Sequence, residues 1–493
     1  MTRISLLFIT IFFLYPQLSA QTLPKHEVRA AWITAVYGLD WPQTKATTPE
    51  GIRRQKAELI EILDKLKDAN FNTVLFQTRT RGDVLYRSSI EPFNSILTGR
   101  ENDDPGYDPL AFAIEECHRR GMECHAWMVT IPLGGRKHVA ALGKSSVTKK
   151  KPAICALYKR QYFLNPGHPQ TKEYLMSLVR EVVERYDVDG VHFDYLRYPE
   201  HARTFPDSYE YKRYNNGRSL EQWRRDNLTE IVRYLYKGVK QLKPWVKVST
   251  CPVGKYRDTS RYPSQGWNAF HTVYQDVQGW LGEGIQDQIY PMLYFRGNHF
   301  YPFVLDWQEQ SNGRQIIPGL GIYFLDPSEG NWTLDEVERQ MYFTRNQHMD
   351  GQAHYRVKYI MDNTQGLYDM LEERFYTAPA LQPPMTWLDS IPPSAPTNLK
   401  IDKIADGYVQ LSWQAATDND SQNAPTYIIY GSENYPVDTN KPDNIIAQRI
   451  QDTTFVYAPI IPWKAKRYFA VTATDRYGNE GSPVTHTEAL YLP

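Results

Sequence analysis

From residue 28 to residue 377, short apolar runs of strand character alternate with longer amphipathic segments, and no other feature of this 493-residue chain restricts its fold as strongly. Strands are expected at Val28–Val36, Asn72–Gln77, Glu123–Val129, Gly190–Asp194, Val246–Thr250, Asp287–Tyr294, Ile316–Ile322 and His354–Ile360. Helical periodicity is clearest at Ile52–Ala69, Pro109–Arg120, Gln170–Tyr186, Ser219–Leu242, Val273–Gly282 and Leu334–His348. Ser219 and Gln222 have the spacing of a capping box. A helix between successive strands returns the chain to the starting edge, so the strands should run parallel. Eight such strands predict an α/β fold, a (β/α)8 barrel of the TIM type with insertions. A doubly wound sheet is the alternative, but no glycine-rich phosphate loop follows the first strand.

The alternation ends at a proline-rich stretch. Residues 378–395 contain Pro383-Pro384 and Pro392-Pro393 and read as a linker with few side chains for either core. Beyond it, in residues 396–493, Val409–Trp413, Thr426–Tyr430 and Tyr468–Ala473 are strand-like with turns between them, which predicts a small all-β sandwich. Pro396-Thr-Asn-Leu399, Leu411-Ser-Trp413 and Tyr468 to Asp475 with Gly478-Asn479 resemble a fibronectin type III module. That resemblance implies a spacer or contact role without chemistry of its own. At the other end, Arg3 precedes the apolar run Ile4–Tyr15, and Leu18-Ser19-Ala20 resembles a cleavage site. Residues 1–20 therefore read as a signal peptide and residues 21–377 as the barrel unit, with a periplasmic or secreted location. No cysteine follows the cleavage site for lipid attachment, and no second apolar run has transmembrane length.

Charge and cysteine usage narrow the partners. With 56 basic and 56 acidic residues the formal net charge is zero, so no global field would draw in nucleic acid or anionic lipid. The four cysteines are too few for a disulfide framework; Cys117 and Cys124 read as small buried hydrophobes. No Cys/His spacing matches a metal site, so neither metal nor cofactor is expected. The 35 Tyr and 12 Trp supply flat amphipathic rings suited to stacking on sugars, although a large core also uses such rings.

In a parallel barrel, functional side chains collect where the strands end. The stretch from Asp187 to Glu200 reads as a buried strand that finishes in an acid, an arginine and two tyrosines. Asp194 falls at the mouth, on the same side of the strand as His192. A plainer reading makes Asp194 the ion-pair partner of Arg197. Other strand ends bring Asp40 and Trp41, then Arg79, Arg81 and Asp83, then Trp127, Tyr294 and Tyr323, with Asn165 ahead of the third helix. Arg79 or Arg81 could equally serve to neutralise Asp83.

Val28-Arg-Ala-Ala-Trp32-Ile-Thr34, Asp40-Trp-Pro42, Phe76-Gln-Thr-Arg79 with Gly82-Asp83, and Asp189-Gly-Val-His-Phe-Asp194-Tyr-Leu-Arg197-Tyr-Pro199 resemble the bacterial glycosyl-hydrolase-like family ten domain. Cys251-Pro-Val-Gly254 and Leu281-Gly-Glu-Gly284 through Pro291-Met-Leu-Tyr294 fit its later blocks. The resemblance covers roughly residues 25 to 375. It implies a barrel domain associated with glycan cleavage, with one branch acting on peptidoglycan strands lacking stem peptides. Many members have two consecutive acids where this chain has Asp194-Tyr195. Asp189 to Leu196 is also similar to the strand signature of family 18 chitinases, but Leu196 stands where their catalytic glutamate would be and cannot protonate a leaving group.

Glycoside hydrolysis usually places two carboxyl groups across the scissile bond. Asp194 is the first choice and Asp83 the second, with Asp40 behind it. Sugar positioning falls to Asp40, Trp41, Arg79, Arg81, Trp127, Asn165, His192, Arg197, Tyr198, Tyr294 and Tyr323. The expected function is an exported glycoside hydrolase acting on a bacterial cell-wall glycan or related polysaccharide. The rival is a catalytically silent glycan-binding protein using the same cleft.

Overall fold

The computed structural model describes residues 23–261, 266–405, 407–418, 423–458 and 465–490; the expected signal peptide lies outside them. Eight parallel strand positions follow one another: β1 (Val28–Ile33), β2 (Thr73–Arg79), β3 (Glu123–Val129), β4 (Gly190–Asp194), β5 (Lys247–Thr250), β6 (Gln288–Ile289), β7 (Gln315–Ile316 and Gly319–Leu320) and β8 (Gly351–His354). Strands β1 to β6 pair in sequence, and β1 also pairs with β8. The first piece of β7 pairs with β6 and the second with β8, so the two ends of the sheet belong to one stretch of chain. The sheet therefore curls onto itself as a barrel.

Alternation along the strands sorts side chains into two cores. Val28, Ala30, Trp32, Leu75, Trp127 and Tyr290 fill the inside, whereas Ala31, Ile33, Val74, Phe76 and Phe193 pack outward under the helices. Gly190 opens β4 where a β-carbon would come within 2.7 Å of His125 Nδ1, which explains why the strand begins with glycine.

The main helices are α1 (Pro49–Asp68), α2 (Pro109–Arg119), α3 (Gln170–Arg185), α4 (Leu220–Leu242), α5 (Tyr301–Glu309) and α6 (Leu334–Asn346). Thr48, Asp108 and Ser219 cap α1, α2 and α4 by accepting from Gly51, Ala111 and Gln222 N–H groups at 3.0, 3.1 and 3.2 Å. The Gln222 side chain turns to Asp226, so only half of the expected capping box forms.

Several expected elements differ: β6 and β7 are shorter than the expected Asp287–Tyr294 and Ile316–Ile322. The last strand is Gly351–His354, and Val357–Met361 is helical, not a continuation of strand. Val357 and Ile360 are apolar because one helical face is buried, which imitates a strand in a short run. The segment expected as helix from Val273 becomes helical only at Val277. An antiparallel three-stranded insertion, Pro132–Gly135, Cys155–Tyr158 and Gln161–Leu164, follows β3 and rises beside the mouth.

The C-terminal unit is an all-β sandwich of two antiparallel sheets. One holds β9 (Thr397–Ala405), β10 (Tyr408–Gln414) and β13 (Thr454–Tyr457). The other holds β12 (Ile445–Ile450), β11 (Thr426–Ser432), β14 (Tyr468–Thr474) and β15 (Val484–Thr485). Trp413, Tyr427 and Phe469 lie in its core.

The connecting stretch is not a loose tether. Ala378, Ala380, Leu381 and Met385 are buried, contrary to the expectation that few of its side chains reach a core. Glu27 N–H donates to Leu381 O at 3.0 Å, and the Gln382 amide donates to Asn72 Oδ1 at 2.9 Å. These contacts lie at the N-terminal ends of the strands. There Arg449 of the sandwich pairs with Asp189 at 2.5 Å and Glu123 at 3.5 Å, and Lys247 joins Glu123 at 2.6 Å. Burial pushes the Glu123 carboxyl up, but Lys247 and His125 overcome it and hold it below the usual range. The sandwich thus stoppers the barrel floor, leaving the opposite end open.

Candidate functional site

At the C-terminal ends of the strands lies a cavity of about 640 Å³. Trp32, Trp127, Asp194, Cys251, Tyr294 and Tyr355 converge on it from β1, β3, β4 and the segments after β5, β6 and β8. The Tyr294 and Tyr355 rings stack at 5.5 Å, and Trp32 meets Tyr355 edge-on at 6.0 Å. Apolar faces with a few polar groups among them form a surface suited to a sugar ring.

Asp194 is almost fully buried at the cavity wall, 5% exposed. Its Oδ1 accepts from Tyr195 N–H at 2.7 Å and its Oδ2 from the Trp127 indole at 3.2 Å. Burial raises its pKa above the ordinary carboxylate value, against the opposing pull of Cys251, Arg197 and these hydrogen bonds. A carboxyl biased toward its protonated form beside a cavity can donate a proton to a leaving group.

His192 shares the inward side of β4 but sits below the cavity. Its Nε2 accepts from the Trp32 indole at 3.2 Å and its Nδ1 meets Ser249 Oγ at 2.9 Å. An indole can only donate, so Nε2 is unprotonated and the ring is neutral; burial drives its pKa well below the usual value. His192 therefore orients Trp32, and Trp32 forms part of the wall.

The residues singled out from sequence divide in two. Arg81, Trp127, Asp194, Arg197, Tyr198 and Tyr294 line the cavity. Asp40, Trp41, Arg79, Asp83, Asn165, His192 and Tyr323 do not. Arg79 is fully buried, binds Glu91 through two hydrogen bonds of 2.7 Å and donates to Thr130 O at 2.9 Å, so it ties the loops after β2 and β3 together. It does not neutralise Asp83. Asp83 is buried within its own loop, where it accepts from the Thr80 hydroxyl and from Arg81 N–H.

Asp40 accepts from Thr34 N–H at 2.7 Å and pairs with Arg356; Trp41 is buried and donates to Gln55 O at 2.8 Å. Asn165 accepts from Gly167 N–H at 3.0 Å ahead of α3. Tyr323 supports the wall from behind, edge-on to Tyr294 at 5.7 Å and to Tyr355 at 5.9 Å.

Several lining residues were not among those chosen from sequence: Trp32, Gln77, Tyr195, Glu200, Cys251 and Tyr355. Glu200 is the only carboxylate besides Asp194 among the described lining residues, and it is exposed. The strand-end rule could have found Cys251, which directly follows β5. Tyr355 was hidden because its strand was placed too late. Among the described residues no group of three His, Cys, Asp or Glu side chains is arranged to hold a metal ion, and all four cysteines are free, with Cys117 and Cys124 buried.

Residues 27–324 match the family model described as Glycosyl hydrolase-like 10. Over 483 residues the chain is 29% identical to a protein named glycosyl hydrolase YngK from Bacillus subtilis (strain 168), covering 94% of this chain and 93% of that protein. It is 31% identical over 346 residues to glycosyl hydrolase DigH of Escherichia coli (strain K12), covering 64% of this chain and 79% of that one. Among solved structures, the glycoside hydrolase domain of PgaB (BpsB) from Bordetella bronchiseptica gives a TM-score of 0.49 at 14% identity, covering 71% of this chain and 98% of that chain.

Proposed function

Since this chain belongs to the glycosyl hydrolase-like 10 family, we propose that it is an exported glycoside hydrolase that cleaves a bacterial cell-wall glycan or a related polysaccharide at the barrel mouth. The observation that carries this reading is Asp194: a buried carboxyl of raised pKa on the wall of an aromatic cavity. In this mechanism Trp127 and Tyr294 hold a sugar ring, and Asp194 protonates the glycosidic oxygen as the bond breaks. Glu200, rather than the expected Asp83, supplies the second carboxyl, because Asp83 is enclosed by its loop and Glu200 reaches the cavity. Glycosidases work with such a pair, one member giving a proton and the other assisting water or the sugar.

Export rests on the leader-like character of residues 1–20; among the described residues no helix is long and apolar enough to cross a membrane. The sandwich, with three strands on one sheet and four on the other, fits a fibronectin type III-like module used as a contact unit.

One observation favours the second reading, a silent glycan-binding protein: neither Asp40 nor Asp83 lines the cavity, and Glu200 lies at the exposed rim. The deciding experiment offers purified peptidoglycan, with and without stem peptides, and measures new reducing ends. Release that disappears in Asp194→Asn supports the hydrolase. Tight binding with no release from any glycan supports the binder.

A further inference from the structure

The formal charge of the chain sums to zero, but the charges are unevenly placed. Between Glu123 and Glu173 there is no Asp or Glu at all. Within that interval the insertion after β3, Pro132–Leu164, carries six Lys and two Arg. All 56 acids and only 48 of the 56 basic residues fall in the rest of the chain. The eight cations, from Arg136 to Arg160, are all exposed, and among the described residues none has a carboxylate within ion-pair distance. Helices elsewhere on the surface carry counter-charges, as in Arg54–Glu50, Arg119–Glu115 and Arg180–Glu184 at 2.9, 3.0 and 2.9 Å.

These cations stand on ordered backbone. The three strands of the insertion form one antiparallel sheet, Ser146 Oγ accepts from Thr148 N–H at 3.2 Å, and Lys150 Nζ donates to Ile90 O at 2.8 Å. Lys159 and Arg160 make the two-residue turn between the last two strands, with φ of 45° and 69°. Such a turn favours Asn and Gly, so two long cations there are a strained choice that places both charges at the hairpin tip. Leu157 lies beside them, 38% exposed. Lys137 and His138 also line, with Lys45 and Arg81, a groove of about 450 Å³ that has no carboxylate among its described lining residues.

Lysine outnumbers arginine here, and that narrows the partner. An ammonium is a point charge that reads no fixed oxygen geometry, whereas a guanidinium fork does. The partner is therefore a diffuse negative surface, not one anion held in place. A basic cluster of this size with an apolar side chain at its tip has the chemistry that binds lipid headgroups. A dissolved polyanion would leave Leu157 uncovered. Screening confines charge effects to about 8 Å at physiological salt, so acids at the far pole do not cancel this patch.

We propose that the insertion after β3 docks the protein on the anionic phospholipid headgroups of a bilayer. Pro132, Gln161 and Phe163 of the same insertion line the mouth cavity, so docking sets the mouth beside the membrane. The contact is independent of which glycan the cavity takes. Among the described residues no helix is long and apolar enough to cross a bilayer, so this contact is peripheral.

The test uses the chain from Gln21 onward, so that the apolar run Ile4–Tyr15 cannot itself bind lipid. It is sedimented with vesicles of phosphatidylcholine alone or of equal parts phosphatidylcholine and phosphatidylglycerol. Binding to the anionic vesicles should be at least about tenfold stronger and should fall as salt is raised. Lys149→Gln, Lys151→Gln and Lys159→Gln made together should weaken it by at least about tenfold. Lys237→Gln, Lys400→Gln and Lys441→Gln remove the same charge from exposed positions elsewhere and should leave binding nearly unchanged. Equal binding to the two vesicles, binding unmoved by salt, or equal loss in the two triple variants overturns the proposal. Capture by polyphosphate without vesicle binding overturns it in favour of a dissolved polyanion.

Discussion

The indole of Trp127 on β3 donates to Oδ2 of Asp194 on the neighbouring β4 at 3.2 Å. This contact favours the ionised carboxylate and works against the burial that raises its pKa. Trp127→Phe removes the donor and keeps most of the ring, so the Asp194 pKa should rise further. An acid must be protonated to act, and its activity falls as pH climbs through its pKa. The alkaline limb of kcat/KM against pH should therefore move to higher pH in Trp127→Phe. An unmoved limb would mean that Asp194 is not the acid.

Asp194, Glu200 and Asp83 should separate by phenotype. Asp194→Asn keeps shape and should lower turnover by at least about 10²-fold with affinity largely retained, the lower bound for losing a positioned acid or base. Glu200→Gln should also lower turnover selectively. Asp83→Asn should instead lower the melting temperature, by on the order of 1 kcal/mol of stability for weakened buried hydrogen bonds, and leave the rate nearly intact. Rates measured beside thermal melts decide the matter. If Asp83→Asn abolishes turnover in a protein of normal stability, the assignment of Glu200 is wrong.

Ending the chain after Thr377 removes Leu381, Met385 and Arg449 from the barrel floor together. The truncated barrel should melt well below the full chain, since breaking a buried charge cluster and exposing apolar floor each cost on the order of 3 kcal/mol. Arg449→Met in the full chain should reproduce part of that loss. Equal melting temperatures for full and truncated chains would show that the docked sandwich contributes nothing to barrel stability.

Asp350, immediately before β8, accepts from Ile316 N–H at 2.8 Å, and burial raises its pKa to about 6. A carboxyl raised on folding favours the native state most fully below its unfolded pKa, and that advantage disappears as pH rises through about 6. Asp350→Asn should flatten this part of the stability–pH curve between about pH 4 and 6. Its side chain is only partly covered, so the effect should be on the order of 1 kcal/mol. Denaturant melts of both proteins across that range provide the check, and parallel curves would exclude Asp350 as the cause.

The barrel was legible because periodicity reports burial directly. Glu123–Val129 and Gly190–Asp194 have the same bounds in sequence and structure, since both are buried on two faces along their whole length. Gly351–His354 was obscured by its polar composition: buried Gln352 hydrogen-bonds to Thr344 and Tyr376, contacts no local pattern reveals. The strand-end rule brought Asp194, Trp127 and Tyr294 to one cavity. It also gathered Asp40, Arg79 and Asp83, because a strand end carries side chains that brace its loop as well as ones that face the mouth. Arg79 shows why: its partner Glu91 lies twelve residues on, and only the folded loop brings them together. Likewise, a run of prolines marked a boundary but could not show that Leu381 would join the barrel as an added edge contact.

The stoppered floor also determines how this protein could be mounted. Lys25, just ahead of β1, pairs with Glu480 of the sandwich at 2.6 Å, so the entry to the barrel and the C-terminal unit share one pole of the molecule while the cavity occupies the other. A surface or scaffold attached through either the segment before β1 or the sandwich would hold the molecule with its working end outward, able to meet a polymer too large to diffuse.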